Sequence, residues 1–115
     1  MSADVPIKPA ATVMLLRDTP DGVAVFMLRR TAAAVFAGGM YVFPGGKVDA
    51  ADGEGDDAFV VAAIRECYEE AGVLLADDES GHPVSDGHPA LDHRTAVYDG
   101  TVDVKALAAE HGLTL

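Results

Sequence analysis

A single helix with both of its ends written into the sequence constrains this chain more than any other feature. It is expected over residues 57–71, with Asp56 or Asp57 as N-cap and Gly72 at the position where a left-handed residue closes a helix. Val60, Ile64, Cys67 and Ala71 fall within one stripe at helical spacing, flanked by Ala63 and Tyr68, so this face is expected to pack on a sheet. Glu66, Glu69 and Glu70 are spaced i, i+3 and i+4 and project together from one side, away from that stripe.

The sheet itself is sought upstream. Residues 11–17 are rich in β-branched and long apolar side chains and read as a buried strand. The next five residues, with Pro20 and Gly22 among them, carry turn chemistry, and 23–29 completes a hairpin. Over 31–40 the residues are small and glycine-bearing (Ala32, Ala33, Ala34, Gly38, Gly39), which predicts a loop. A short strand over 41–43 runs into Pro44, Gly45 and Gly46; Pro44 stops ladder pairing, and the glycines permit sharp turns. An acidic loop over 49–56 leads to the helix. Beyond it the chain turns polar, with exposed loop expected over 77–83 and 86–89, and residues 102–111 form a short terminal helix ending at Gly112.

Composition narrows the class of function. Nineteen Asp and Glu against eight Lys and Arg give a formal charge of -11, which sets nucleic acid aside as a partner, because backbone binding by counterion release needs the opposite sign. The sequence contains no membrane-spanning run and no secretory leader, and its lone Cys67 suits a reducing compartment, so a single domain over 1–115 in the cytoplasm is expected. Cys67 itself reads as a small core residue.

Three carboxylates at this spacing repel, each close pair costing roughly 0.2–0.5 kcal/mol in an isolated helix. A divalent cation reverses the sign. Mg²⁺ prefers hard oxygen ligands and keeps several waters, so a few carboxylates plus substrate phosphates suit it better than a closed protein cage. Arg65, four residues before Glu69, can pair with it and hold the carboxylate rotamers. Against this stands the plainer reading of an acidic helix face as a solvated surface. For His82, His88 and His93 the plain reading is preferred, because their spacing fits no zinc pattern. Tyr41 and Tyr68 read as packing residues rather than base-stacking platforms, and Gly38-Gly39 is followed by no Lys-Ser or Lys-Thr that would make a phosphate loop.

The run from Arg65 through Glu66, Glu69, Glu70 and Gly72 to Val73 resembles the second half of the Nudix box at every fixed position. Phe43-Pro44-Gly45-Gly46 looks like the strand-to-loop entry of the same box, and Leu28-Arg29-Arg30 resembles the arginine-bearing strand that commonly precedes it. The box would span 46–73. Its middle departs from the pattern: Asp52 stands where the family has its first glutamate, and twelve residues rather than seven separate Asp52 from Arg65. An enlarged loop at this place is similar to the Nudix subgroup containing the peroxisomal coenzyme A diphosphatases.

The resemblance implies an α+β fold, a mixed sheet sandwiched between helices in α/β/α fashion, that this chain leaves incomplete, since only forty-odd residues follow Gly72. It implies a Nudix pyrophosphohydrolase dependent on Mg²⁺ or Mn²⁺, acting on the diphosphate linkage of a nucleoside diphosphate-X compound such as coenzyme A, a sugar nucleotide or a dinucleotide. Glu66 and Glu70 would bind the catalytic ions and Glu69 would bind or position one; in the alternative, Glu66 would be the base that orients the water. Gly46 would offer its carbonyl to a metal, Arg65 would brace the glutamates, and Arg29 and Arg30 would reach substrate phosphates. The alternative is a noncatalytic metal- or nucleotide-binding module, or a half-domain whose sheet a homo-oligomer completes.

Overall fold

The computed structural model describes residues 5–31 and 38–115. Its strands are β1 (Ala10–Thr12), β2 (Leu16–Thr19), β3 (Gly22–Val25), β4 (Leu28–Arg29), β5 (Tyr41–Val42) and β6 (Gly45–Lys47), and its α-helices are α1 (Gly55–Ala71), α2 (Arg94–Tyr98) and α3 (Val104–Glu110). The arrangement is α+β. Among the described residues the strands join as three antiparallel pairs, β1 with β6, β2 with β3 and β4 with β5, rather than as one mixed sheet.

The β2–β3 hairpin forms around the expected turn, with Leu16 opposite Val25 and Thr19 opposite Gly22, whose φ of 116° only glycine adopts readily. Each expected strand is divided in two, however, and neither is buried: Met14, Leu16 and Val23 are 57%, 59% and 64% exposed. Their β-branched and long apolar residues set the extended backbone, but among the described residues nothing packs over this face. The expected loop over 31–40 falls largely outside the described residues, Ala32, Ala33 and Ala34 included.

Gly45 and Gly46 are a correction of a different kind. They form a strand, not a turn: β6 pairs with β1 in the register Ala11 to Gly46 and Thr12 to Gly45. The reason is close approach. A Cβ on Gly45 would lie 2.5 Å from the Ala11 carbonyl oxygen and 2.9 Å from the Thr12 Cα, so only glycine lets the two backbones meet there. Pro44, which has no N–H to give, still accepts from the Val13 amide at 2.9 Å.

Helix α1 begins two residues earlier than expected, with Glu54 rather than Asp56 or Asp57 as N-cap; both aspartates sit in its first turn, where negative charge is favourable. It ends as expected, Gly72 taking φ 72° and its amide donating to the Tyr68 carbonyl at 3.0 Å. The buried face runs through Ala58, Ala62, Ile64, Arg65, Cys67 and Tyr68, whereas Val60 is exposed. One flank of α1 lies on β1 and β6, and Ile64 and Tyr68 enter a core built with Leu74, Val97, Val104 and Leu107 from the C-terminal segment. The Tyr68 hydroxyl donates to the Ala90 carbonyl at 2.6 Å, so its one polar atom is satisfied inside that core.

The region read as polar loop holds more order than its composition suggests. A short 3-10 turn at Pro89–His93 leads into α2, and Asp77 bridges both Pro83 and Thr114. The terminal helix appears as α3, followed by Gly112 at φ 67°. Among the described residues no helix is long and apolar enough to cross a membrane.

Candidate active site

Arg65 organises the site. Although charged, it is 8% exposed, and its guanidinium meets Asp52 in a bidentate pair, Nε to Oδ1 at 2.9 Å and Nη2 to Oδ2 at 3.0 Å. Asp52 is itself buried at 3% and also accepts from the Asp49 amide at 2.7 Å. Nη2 further donates to the Lys47 carbonyl at 2.9 Å, fastening α1 to the end of β6. Nη1 faces the other way, donating to Glu66 Oε1 at 3.1 Å and Glu69 Oε1 at 3.3 Å. One buried cation thus ties the loop before the helix to two of the three glutamates. The sequence placed Asp52 at an irregular position of the box; the structure gives it the role of Arg65's main partner.

These contacts decide how the carboxylates titrate. Burial pushes the Asp52 carboxyl up, but the Arg65 hydrogen bond, the Asp49 amide and the Arg65 charge outweigh it and hold the group below its usual value. Burial pushes Glu66 up, and the neighbouring charges of Glu69 and Glu70 add to it against Arg65. Glu69 is raised by burial as well, with Arg65 opposing and Asp49 and Glu70 reinforcing. The hydrogen bond to Asp52 holds the Arg65 proton more firmly than in water. The acidic face is therefore half-buried and electrostatically uncomfortable, with Glu66 and Glu69 side chains only 18% and 10% exposed, which excludes the plain reading of a solvated surface.

Gly46 and Glu66 are brought together: a Cβ at Gly46 would fall on the Glu66 carboxylate, so any larger residue there would push that carboxylate aside. Glu70 is directed elsewhere, its Oε1 accepting from the Gly45 amide at 2.9 Å. Among the described residues no three His, Cys, Asp or Glu side chains converge as a ready metal cage. The donors present are nevertheless all hard oxygens, two of them on carboxylates disfavoured as bare anions, which fits a hard divalent ion that keeps its waters.

Glu66 and Glu69, with Arg65, line a cavity of about 330 Å³ whose other walls include Asp49, Val97, Tyr98, Val102 and Asp103. Arg29 and Arg30 are not among its lining residues; the Arg29 Nε donates to the Gly39 carbonyl at 3.4 Å and its guanidinium lies 6.0 Å from the ring centre of Tyr41. Tyr41 is 63% exposed, so it is not the packing residue expected, while Tyr68 is.

A family profile described as the NUDIX domain matches residues 6–110, nearly the whole chain. The chain belongs to the Nudix family. It is 39% identical over 84 residues to a Caenorhabditis elegans protein named nudix hydrolase 7, a match that covers 73% of this chain and 27% of the relative. Its fold superposes on the crystal structure of a NUDIX hydrolase from Alicyclobacillus acidocaldarius with a TM-score of 0.82 and 28% identity, over 98% of this chain and 58% of that one. The chain thus spans about a quarter of the curated relative's length and somewhat over half of the bacterial structure.

Two residues beside the carboxylates carried no signal in the sequence. Arg94 donates from Nε to the Glu69 carbonyl and from Nη2 to the Glu70 carbonyl, both at 2.7 Å, clamping the end of the carboxylate helix. An arginine 24 residues away in a polar stretch gave no local signal of that contact. Tyr98 is the other; an isolated tyrosine carries no motif.

Proposed function

We propose that this chain carries the catalytic half of a divalent-metal-dependent hydrolase of diphosphate linkages in nucleoside diphosphate-X compounds. The observation that supports it is the joining of Glu66 and Glu69 through a single Arg65 nitrogen at the wall of one cavity, with Gly46 backbone against Glu66. Glu66, Glu69 and the Gly46 carbonyl would hold Mg²⁺ or Mn²⁺, with Glu70 contributing the oxygen not given to Gly45. When bound, the ion polarises a phosphoryl oxygen and neutralises charge on the departing phosphate.

The chain's own residues supply position. Arg65 fixes the Glu66 and Glu69 rotamers; Glu70 holds the Gly45–Gly46 backbone on the same helix; Arg94 fixes the helix end. Glu66, raised by burial and like charge, either ligates or receives the proton of the attacking water. Arg29 and Arg30 would meet the remote phosphate of a longer substrate. Most of the acceleration would come from orientation and electrostatics.

The uncovered β2–β3 hairpin supports a second component of this reading, a homo-oligomer in which a second copy completes the sheet.

The test is incubation of the 115-residue chain with coenzyme A, ADP-ribose and a dinucleoside polyphosphate in Mg²⁺ or Mn²⁺. Cleavage is expected, lost on chelation and in Glu66→Gln and Glu70→Gln. Cleavage that survives both substitutions refutes the site; folded, metal-binding chain without turnover favours a noncatalytic module.

A further inference from the structure

The cavity beside Glu66 and Glu69 has one wall that the proposed chemistry leaves unused. Tyr98 is 70% exposed although it is a large aromatic, and it lines the same cavity as the two carboxylates. Its backbone is held from three sides. Arg94, at the start of α2, is bound to the Glu69 and Glu70 carbonyls; Val97 is buried in the core at 3% exposure; and the amides of Thr101 and Val102 both donate to the Ala96 carbonyl, at 2.9 and 3.1 Å. An exposed ring on a mobile loop would carry little meaning, but here the backbone that carries the ring is held against the very helix that bears the glutamates.

The surroundings select a ligand. Val97 and Val102 give the cavity apolar walls, and two exposed aspartates stand on it, each with one oxygen already engaged. Asp49 Oδ2 pairs with Arg65 Nη2 at 3.2 Å and Asp103 Oδ1 accepts from the Lys105 amide at 3.2 Å, so the second oxygen of each is the acceptor offered to a ligand. A flat apolar ring bearing donors, joined to a sugar with free hydroxyls, matches those walls, while its phosphates would lie toward Glu66 and Glu69 and the divalent ion those residues would hold, since every Arg65 donor is already taken. About 330 Å³ lies at the lower end of the range for small-ligand sites, sufficient for one nucleoside moiety. We propose that Tyr98 is a specificity-determining residue, a stacking platform for the nucleobase of the substrate, with Asp49 and Asp103 accepting from base or ribose donors. This rests on the proposed function for the class of ligand and adds which end of it lies against the Tyr98 wall and what grips it.

The experiment separates the two. Calorimetric titration of the full chain with ADP and, separately, with inorganic pyrophosphate in Mg²⁺ is expected to show tighter binding of ADP. In Tyr98→Ala the ADP affinity should fall about tenfold or more, the usual worth of one base–aromatic stack, with pyrophosphate unchanged. Tyr98→Trp should keep wild-type ADP affinity to within about threefold, since any large ring supplies the platform. ADP binding equal in Tyr98→Ala and wild type, or no preference for ADP over pyrophosphate in wild type, overturns the assignment, as does equal loss of both ligands, which would mark a merely structural role. Turnover is read on the same proteins: absent hydrolysis with a Tyr98-dependent ADP preference removes the hydrolase reading and leaves the platform standing.

Discussion

At the scale of single residues, the decisive choice is to bury Arg65 with only one fully buried carboxylate, Asp52, opposite it. Arg65 keeps Asp49, Glu66, Glu69 and the Lys47 carbonyl as partners when Asp52 is removed, so its charge is not stranded. Asp52→Ala is therefore expected to lower unfolding free energy by about 1.5–3 kcal/mol in urea titrations, the worth of a hydrogen bond to a charged group, and replacing both Asp52 and Arg65 by apolar residues should cost no less, because Glu66 and Glu69 then lose their shared cation. A loss below about 1 kcal/mol for Asp52→Ala would show the pair to be idle. The sign with pH follows from the depressed Asp52 carboxyl. Its contribution is present above the ordinary value of 3.8 and disappears as pH falls through the lower folded value, so wild-type stability should decline below about pH 4 more steeply than that of the Asp52→Asn variant. Glu66 runs the opposite way: burial and like charge penalise its anion, and Glu66→Gln is expected to raise metal-free stability at neutral pH while abolishing turnover. Denaturation curves with and without chelator check this directly.

At the scale of elements, α1 shows how far local chemistry reaches. Its Gly72 end and its glutamate spacing were legible because capping and helical periodicity are written within a few residues. Its start was misplaced by two residues because Glu54, Asp56 and Asp57 are all acceptable near an N-terminus, and only the backbone decides which is the cap. The β2–β3 hairpin was legible for the same local reasons. Strand β6 was not, since Gly45-Gly46 reads as a turn until β1 is seen pressed against it; Gly45→Ala should destabilise the fold by about 1–3 kcal/mol through that overlap, measurable in thermal melts. Arg94 was equally hidden, because its contact joins elements 24 and 25 residues apart. Arg94→Gln is expected to cost about 1–3 kcal/mol in stability, the worth of its two hydrogen bonds, and to lower kcat more than it raises KM, since it frees the end of the carboxylate helix while Arg94 itself does not line the cavity. An equal effect on both constants would instead place Arg94 on the substrate.

For the whole molecule, two features oppose one another. The core lies around α1, α2 and α3, while the hairpin leaves Leu16, Val23, Val25, Phe26 and Met27 all at least 40% exposed beside a cavity of about 440 Å³. An exposed apolar hairpin with open strand edges favours pairing with another copy of itself, strand to strand about a two-fold axis. Against that acts the formal charge of -11, which repels identical copies at long range. Salt weakens the repulsion, the screening length shrinking from about 10 Å at 0.1 M to about 3 Å at 1 M, while the apolar attraction persists. Sedimentation of the chain is therefore expected to show apparent mass rising with both protein concentration and ionic strength. Val23→Thr with Val25→Thr keeps the shape, the strand preference and the charge but removes apolar surface, so it should suppress that rise without altering the helical far-UV signal. Association unchanged in the double variant would move the contact away from the hairpin, and association that weakens with salt would mean that charge pairing, rather than apolar burial, holds the copies together.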